Sequence, residues 1–262
     1  MILSRIIHHL RTQNWTAIAI EFLIVILGVV IGFQVTAWNE ARTEEARGQG
    51  YLERIHADLD DDIANYEDRI AFWGVVSDYG LSALASASHA ATGDSSTGDA
   101  GRDDWGIIVD FFQASQVGEF DPTEITYTEI TSAGELGLIH NPQIRARISA
   151  YYAMGSNAAL SERPDYRVTV RGIIPISLQL YIWENCYGSE GDGTQSLLAC
   201  AAPPGARGMA PIADTLLADT ALHAELSYWI SILWVAGAIG EDALTNARDI
   251  QAMIETELGY VP

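Results

Sequence analysis

One apolar segment, from Ala17 to Trp38, constrains this chain more than any other feature. Its 22 residues would span about 33 Å as a helix, enough to cross the hydrocarbon core of a bilayer, which is about 30 Å thick. Glu21 is its only ionisable residue and lies near its start. Trp15 and Trp38 bracket the segment, as aromatic residues do at the two membrane interfaces. Residues 17–38 are therefore predicted to form a transmembrane helix, with Trp15 and Trp38 as its interface anchors.

The charges on the two sides of this segment are unequal. Residues 1–16 carry two Arg and no acidic residue, whereas residues 39–262 carry 34 acidic residues and 12 Arg, a net charge of −22. Since short segments rich in positive charge tend to stay in the cytoplasm, we expect a protein of the bacterial inner membrane with its N-terminus inside and its C-terminal domain in the periplasm. The apolar run exceeds the roughly 7–15 residues of a cleaved signal peptide, and no small-x-small cleavage site follows it. An uncleaved signal-anchor is favoured over cleavage.

The acidity of the exported part bears on its partners. A net charge of −22 would repel nucleic acid and anionic membrane surfaces, so neither is expected to bind the domain. It is compatible with a basic partner or with loosely held divalent cations. The favoured interpretation is a solvated acidic surface that keeps the domain soluble.

Hydrophobic periodicity predicts an all-α protein in three parts. Residues 1–16 have the pattern of an amphipathic helix on the cytoplasmic membrane surface, residues 17–38 form the anchor, and residues 39–262 form an extracytoplasmic helical bundle. The helical patterns of the bundle cover 52–91, with a break expected near Gly48 and Gly50, and then 104–115, 122–134, 142–152, 165–184 with a kink at Pro175, and 219–258. Residues 92–101 and 185–211 have loop composition, and Tyr166–Val170 is the only alternating run typical of a strand.

Residues 226–240 contain no charged side chain and allow two interpretations. A second membrane span would need about 18 apolar residues, and this run has 15, with Glu225 and Glu241 at its ends. A buried central helix of the bundle is preferred over a second membrane pass.

Two cysteines, Cys186 and Cys200, enclose a short loop. In an oxidising compartment an even number of cysteines favours a disulfide, and a loop of this length predicts a stabilisation of about 3 kcal/mol. The alternative is a pair of unbonded buried thiols. A nucleophilic cysteine is less favoured, because no neighbouring His or Arg would lower its pKa.

Four residues of the apolar segment are candidates for contacts between membrane helices. Glu21 and Gln34 are polar residues within the span, where they can contact a partner helix or extend to the headgroups on the inner and outer sides. Gly28 and Gly32 form a GxxxG pair, which lets two helix backbones approach closely. A parallel homodimer through this helix and a monomeric anchor both remain open.

Two blocks of this sequence resemble a family of uncharacterised bacterial single-pass membrane proteins. The first is Glu21, the run Gly28 to Gln34, and Trp38-Asn39-Glu40, where an apolar helix with an early Glu and a late Gln ends in Trp-Asn-Glu. The second is Tyr127 to Tyr152, a helix, a Ser-x-Gly turn and a second helix that ends in Tyr-Tyr. Thr36-Ala37 stands where members of that family have two Asn. The resemblance implies a membrane-anchored helical domain and implies no activity.

Catalytic and cofactor motifs are absent from the sequence. No HExxH, GxSxG or phosphate-binding glycine loop occurs, and the histidines beyond the anchor are isolated, so no catalytic residue, metal ligand or cofactor is predicted. The first hypothesis is a non-enzymatic module that binds or scaffolds another, unknown protein of the cell envelope. The alternatives are a ligand-sensing module that signals through a separate partner, and an enzyme without a recognisable motif.

Overall fold

The computed structural model describes residues 15–92, 103–120, 122–154, 158–160, 162–189, 194–205 and 207–260. Helices make up 81% of the structure, which confirms the all-α prediction. The eight α-helices of the described residues are α1 (Trp15–Thr92), α2 (Asp104–Gln113), α3 (Ile125–Ala133), α4 (Pro142–Met154), α5 (Asp165–Ile173), α6 (Ile176–Asn185), α7 (Ala210–Ala218) and α8 (Thr220–Leu258). Residues 1–14, with most of the predicted amphipathic segment, and the predicted loop at 93–101 lie outside the described residues.

Helix α1 runs from the apolar segment into the helical domain without interruption. Its 78 residues make it about 117 Å long. The break expected near Gly48 and Gly50 is wrong, because the helix continues through both glycines. Residues 19–47 are exposed, and Gly48 is the first buried residue along the helix. A Cβ at Gly48 would collide with the carbonyl oxygen of Leu138, so this glycine lets the backbone of the next segment lie directly against α1.

Helices α1 and α8 pack side by side in antiparallel directions and form the centre of the domain. Apart from Tyr51 and Phe72, their buried residues alternate in steps of four and three, a repeat of about 3.5 residues, which is typical of left-handed coiled coils. On α1 these residues are Gly48, Leu52, Ile55, Leu59, Asp62, Tyr66, Arg69, Trp73, Val76, Gly80, Ala83 and Ala87, and on α8 they are Leu222, Leu226, Trp229, Leu233, Ala236, Gly240, Ala243, Ala247, Ile250 and Ile254. Ile63, Ile70 and Leu244 lie half-buried beside the contact.

The start of α3 differs from the prediction. The helical pattern at 122–134 predicts a start at Pro122, which is typical of a first helical position after an Asp cap, but the helix begins at Ile125, and Asp121 lies outside the described residues. Carboxylates of α1 bind this helix end instead: Asp62 accepts a hydrogen bond from the backbone N–H of Thr123 at 2.7 Å, and Asp58 accepts one from Thr126 at 3.2 Å. The cap therefore comes from a distant part of the chain.

Other helix ends follow the local signals. Asn141 accepts a hydrogen bond from the N–H of Gln143 and caps α4, and Asp219 caps α8 in the same way. Gly134 ends α3 in the left-handed conformation, with φ of 69°. Pro175 separates α5 from α6, as the predicted kink implied.

The strand prediction is wrong at one position, and the loop prediction at another. Tyr166–Val170, the alternating run, lies within helix α5, because its apolar residues Tyr166 and Val170 are also four apart and both face the core. The predicted loop 185–211 contains an antiparallel hairpin of β1 (Tyr187–Ser189) and β2 (Gln195–Leu197).

The uncharged segment 226–240 lies in α8 along α1, and one of its faces is buried. Leu226, Trp229 and Leu233 are buried, whereas Tyr228 is 58% exposed and Trp234 is 75% exposed. By length and composition alone, two helices of the described residues, α1 and α8, could cross a membrane. In the most apolar 18-residue stretch of each helix, no residue of α1 is buried, whereas 28% of the residues of α8 are buried. The expected buried helix is thus buried on one face only.

Candidate functional site

The four predicted membrane-contact residues lie on the free arm of α1, residues 19–47. Glu21, Gly28, Gly32 and Gln34 are all exposed, and no atom lies within 4 Å of the Cβ positions of the two glycines. Among the residues that the structure describes, none of these four lies against another part of the chain. They are available for contacts with lipid or with a second helix.

The two predicted interface anchors lie at opposite ends of the apolar segment. Trp38 is 65% exposed, and the guanidinium of Arg42, one turn further on, lies 5.8 Å from its ring centre. An Arg placed over an aromatic ring next to an apolar span is typical of the membrane–water boundary. Trp15 lies in α1, but its side chain is outside the described residues.

Ion pairs fix the domain to α1 just beyond this arm. Arg47 binds Glu135 at 2.6 Å, and Arg54 binds Glu129 at 2.7 Å. Tyr51 also donates a hydrogen bond to Glu135, and this contact with the carboxylate raises the pKa of the tyrosine. These pairs are exposed and each contributes little to stability, but together with the contact at Gly48 they set the orientation of the domain on the helix.

A buried carboxylate, Asp62, connects α1 to α3 and α4. It is fully buried and accepts hydrogen bonds from the hydroxyl of Tyr151 and the backbone of Thr123, both at 2.7 Å. Burial raises the pKa of Asp62, while the two hydrogen bonds act in the opposite direction. Burial also raises the pKa of Tyr151, next to the same carboxylate. Because each Asp62 oxygen binds a group of the protein itself, the cluster holds helices together rather than presenting a reactive group.

A buried turn after α2 is held by side chains from both long helices. Trp73 of α1 donates a hydrogen bond to the carbonyl of Gly118 at 2.8 Å, and Trp229 of α8 donates one to the carbonyl of Ala114 at 3.0 Å. Arg171 donates to the hydroxyl of Ser115 and lies 4.8 Å from the ring centre of Phe112. Burial lowers the pKa of Arg171 to about 10, so it remains charged at neutral pH. This turn packs the rest of the bundle onto the helix pair.

The two cysteines lie within disulfide distance, as the sequence predicted. The Cα atoms of Cys186 and Cys200 are 5.2 Å apart, within the usual range for a disulfide, and the pair closes the β1–β2 hairpin. Gln113 donates a hydrogen bond to the carbonyl of Cys186 at 2.8 Å, and Trp105 donates one to the carbonyl of Cys200 at 3.0 Å. The hairpin is thereby attached to both ends of α2.

An acidic cleft of about 440 Å³ lies between α5 and α8. Glu162, Asp165 and Glu225 line it, and Tyr228 donates a hydrogen bond to Glu162 at 3.2 Å. Within the described ranges, no three residues among His, Cys, Asp and Glu are grouped so that they could hold a metal ion. The cleft is an acidic surface feature of the bundle.

An open groove with a largely apolar lining runs along the α1–α8 pair, and we call it the Trp234 groove. It has a volume of about 270 Å³. Its lining residues are Ile70, Trp73, Gly74, Ser77, Leu233, Trp234, Gly237, Ala238 and Glu241. No atom lies within 4 Å of the Cβ positions of Gly74 and Gly237, so the missing side chains leave space between the helices.

Sequence reasoning did not find this groove. It predicted residues 226–240 to be a buried central helix of the bundle, whereas Trp234 lies outside the 3.5-residue repeat and is mostly exposed. The available signal was a Trp about 100° around the helix from Leu233, outside the repeat of buried residues that already supplies the core.

Comparisons with protein-family models, curated proteins and solved structures found no match to this chain. The resemblance of the apolar segment and of Tyr127 to Tyr152 to a family of single-pass membrane proteins therefore stays a prediction.

Proposed function

We propose that this protein is a single-pass membrane anchor that holds a helical binding or scaffolding domain on the outer side of the bacterial inner membrane. The observation that carries the proposal is the continuity of α1, which includes both the exposed apolar segment and the central helix of the domain. A helix shared in this way places the domain at a set distance from the lipid. That arrangement suits a protein that presents a surface to another envelope component.

The position of the domain follows from the length of the helix. From Trp38 to Gly48 the rise is about 15 Å, so the base of the domain would lie close to the membrane surface. The charge difference between residues 1–16 and 39–262 supports a cytoplasmic N-terminus and an exported domain. The disulfide distance between Cys186 and Cys200 supports an oxidising compartment.

The packing of α8 supports one membrane span rather than two. A Cβ at Gly80 would touch Leu226 and Ile230, and one at Gly240 would touch Ile70 and Trp73, so residues 226–240 lie beside residues 70–80 of α1. The middle of that region is about 70 Å along α1 from the middle of the apolar segment. A bilayer core of about 30 Å cannot contain both in this conformation.

Topology and partner capture test the proposal together. An alkaline phosphatase fusion after Pro262 should be active in a bacterial host, because that reporter requires export. The full chain, cross-linked in cells and purified from membranes, should carry a stoichiometric envelope protein. Residues 1–42 fused to an unrelated soluble domain serve as the control for capture by the anchor alone.

An inactive fusion, together with activity of a cytoplasmic reporter at the same position, would overturn the orientation. If the control fusion recovers every cross-linked protein in the same amount as the full chain, the scaffolding role of the domain is overturned.

A further inference from the structure

The Trp234 groove belongs to a larger uncovered side of the α1–α8 pair. Helical positions seven residues apart share a face in a 3.5-residue repeat, so Ile63, Ile70 and Ser77 of α1 line up on the side of the groove, and so do Ile230, Gly237 and Leu244 of α8. These positions are all half-buried rather than buried. The groove thus continues along several turns of both helices.

The shape of the groove fits a helix better than a small molecule. Its volume of about 270 Å³ is below the range of about 300–1,000 Å³ that is typical of small-molecule pockets. It lies open between two helices, with Gly74 and Gly237 as depressions and Trp234 at the edge. A third helix can place large apolar side chains into such depressions at intervals of three and four residues.

Charge determines which helix fits. The helix stretches on either side of the groove, residues 70–92 and 220–247, contain the acidic residues Asp78, Glu225, Glu241 and Asp242 and no Arg or Lys. Glu241 lines the groove itself, and Asp78 and Asp242 are exposed next to residues that line it. A basic partner is attracted by this edge, whereas a second copy of this acidic domain is repelled. Lipid is also excluded as the occupant if α1 is the anchor, because Gly74 lies about 54 Å beyond Trp38.

From this geometry we infer that the Trp234 groove binds a basic amphipathic helix of a partner protein. The apolar face of that helix lies on Gly74, Trp234 and Gly237, and its Arg or Lys residues lie against Asp78, Glu241 and Asp242. The inference rests on the proposed function, since it names the surface and the partner chemistry of the same binding module.

The test uses the full chain in nanodiscs of zwitterionic lipid and a defined peptide. The probe is a fluorescent 18-residue peptide with Leu on one helical face and Arg on the other, and one central Leu is replaced by a photo-reactive benzoylphenylalanine. A second peptide with Glu in place of every Arg tests the charge requirement. Binding is followed by fluorescence anisotropy, with empty nanodiscs as the background, and cross-linked residues are mapped by mass spectrometry.

The central variant is Gly237→Leu, which fills the groove without changing any charge. It is expected to fold, because no atom lies within 4 Å of the added Cβ and because Leu favours a helix over Gly. Gly172→Leu is the control: it makes the same change at an exposed helix position on α5, where no neighbouring group lies within 4 Å of the added Cβ either. A thermal melt monitored by circular dichroism verifies that both variants are folded.

We expect the Leu/Arg peptide to bind the wild type and Gly172→Leu with affinities within twofold, and to bind Gly237→Leu at least tenfold more weakly. The Leu/Glu peptide should also bind the wild type at least tenfold more weakly. Cross-links should fall within residues 70–81 and 230–241.

Equal binding to wild type and Gly237→Leu would overturn the inference, because the peptide would then be held by acidity alone. Self-association of the wild type that Gly237→Leu abolishes would also overturn it, in favour of a second copy as the occupant. If Gly237→Leu still captures the same partner from cells as the wild type, the scaffolding function stands and the groove is not its site.

Discussion

At the scale of single residues, burial of the Asp62 carboxylate lowers the free energy of unfolding when this group is ionised. It is fully buried on α1, and it accepts hydrogen bonds from Tyr151 and Thr123. Burial raises its pKa above that of an unfolded Asp, so the folded state holds the proton at a pH where the unfolded state has released it. The contribution of Asp62 to stability is therefore complete below the unfolded pKa and decreases as the pH rises through the folded pKa.

Replacement of Asp62 by Asn should remove this pH dependence. The side-chain oxygen of Asn can still accept from Thr123, and its amide can donate to the hydroxyl of Tyr151. From about pH 4 upward the wild type should lose stability relative to Asp62→Asn, because its carboxyl group must ionise. Above the raised pKa of Asp62, the difference in free energy of unfolding between the two proteins should become constant. Urea unfolding at several pH values measures it, and a difference that is independent of pH would contradict the raised pKa.

Gly48 and Gly50 provide a matched pair at the base of the domain. A Cβ at Gly48 would meet the backbone of Leu138, whereas one at Gly50 meets no atom within 4 Å. Gly48→Ala should therefore destabilise the domain by about 1–3 kcal/mol, while Gly50→Ala should stabilise α1 by about 0.5–1 kcal/mol. Thermal unfolding of both variants in one detergent gives the comparison. Equal melting temperatures for the two would show that α1 and Leu138 are not in this contact.

At the scale of the elements, the β1–β2 hairpin depends on the cysteine pair. Of the described residues from Cys186 to Cys200 only Cys186 is buried, and the two cysteines are attached to α2 through Gln113 and Trp105. Cys186→Ser with Cys200→Ser should lower the free energy of unfolding by about 3 kcal/mol, because the open loop gains freedom in the unfolded state. Denaturant unfolding with and without a reductant tests this: reduction should destabilise the wild type by a similar amount and leave the variant unchanged. No effect of reduction on the wild type would show that the bond is absent.

The arm of α1 tests whether the anchor associates with itself. Gly28 and Gly32 are open on the helix surface, so large residues there would keep two helix backbones apart. In a membrane-helix association assay on residues 15–40, Gly28→Ile with Gly32→Ile should reduce the signal, with a loss of a few kcal/mol at most. An unchanged signal would favour a monomeric anchor.

Individual elements also explain how much of the structure could be predicted from sequence. The long helices and the caps at Asn141 and Asp219 follow from patterns within a few residues, which local physics determines. The start of α3 could not be predicted, because Asp58 and Asp62, far earlier in the chain, bind its N–H groups.

The Trp234 groove could not be predicted from the sequence for the same reason. The depressions of the Trp234 groove exist only because the packing of α8 on α1 brings Gly74 and Gly237, from distant parts of the chain, into one groove. The sequence does predict the apolar segment and the cysteine pair. The first follows from the composition of residues 17–38, and the second from the number and spacing of the cysteines.

At the scale of the whole molecule, the unbroken helix between Trp38 and Gly48 couples rotation of the anchor to the direction in which the groove faces. Each residue inserted there would turn the domain by about 100° and raise it by about 1.5 Å. Two inserted residues would point the groove about 200° away from its original azimuth, whereas seven would nearly restore that azimuth at a height about 10 Å greater.

A partner fixed in the same membrane should therefore cross-link to the seven-residue insertion and not to the two-residue insertion, although the latter changes the height less. The measurement is cross-linking in cells with each inserted chain, and equal cross-linking of both would mean that the azimuth is not transmitted. If only the seven-residue insertion cross-links, the proposed anchor sets the direction in which the domain faces as well as its height, because a rigid helix fixes the side of the domain that its neighbours can reach.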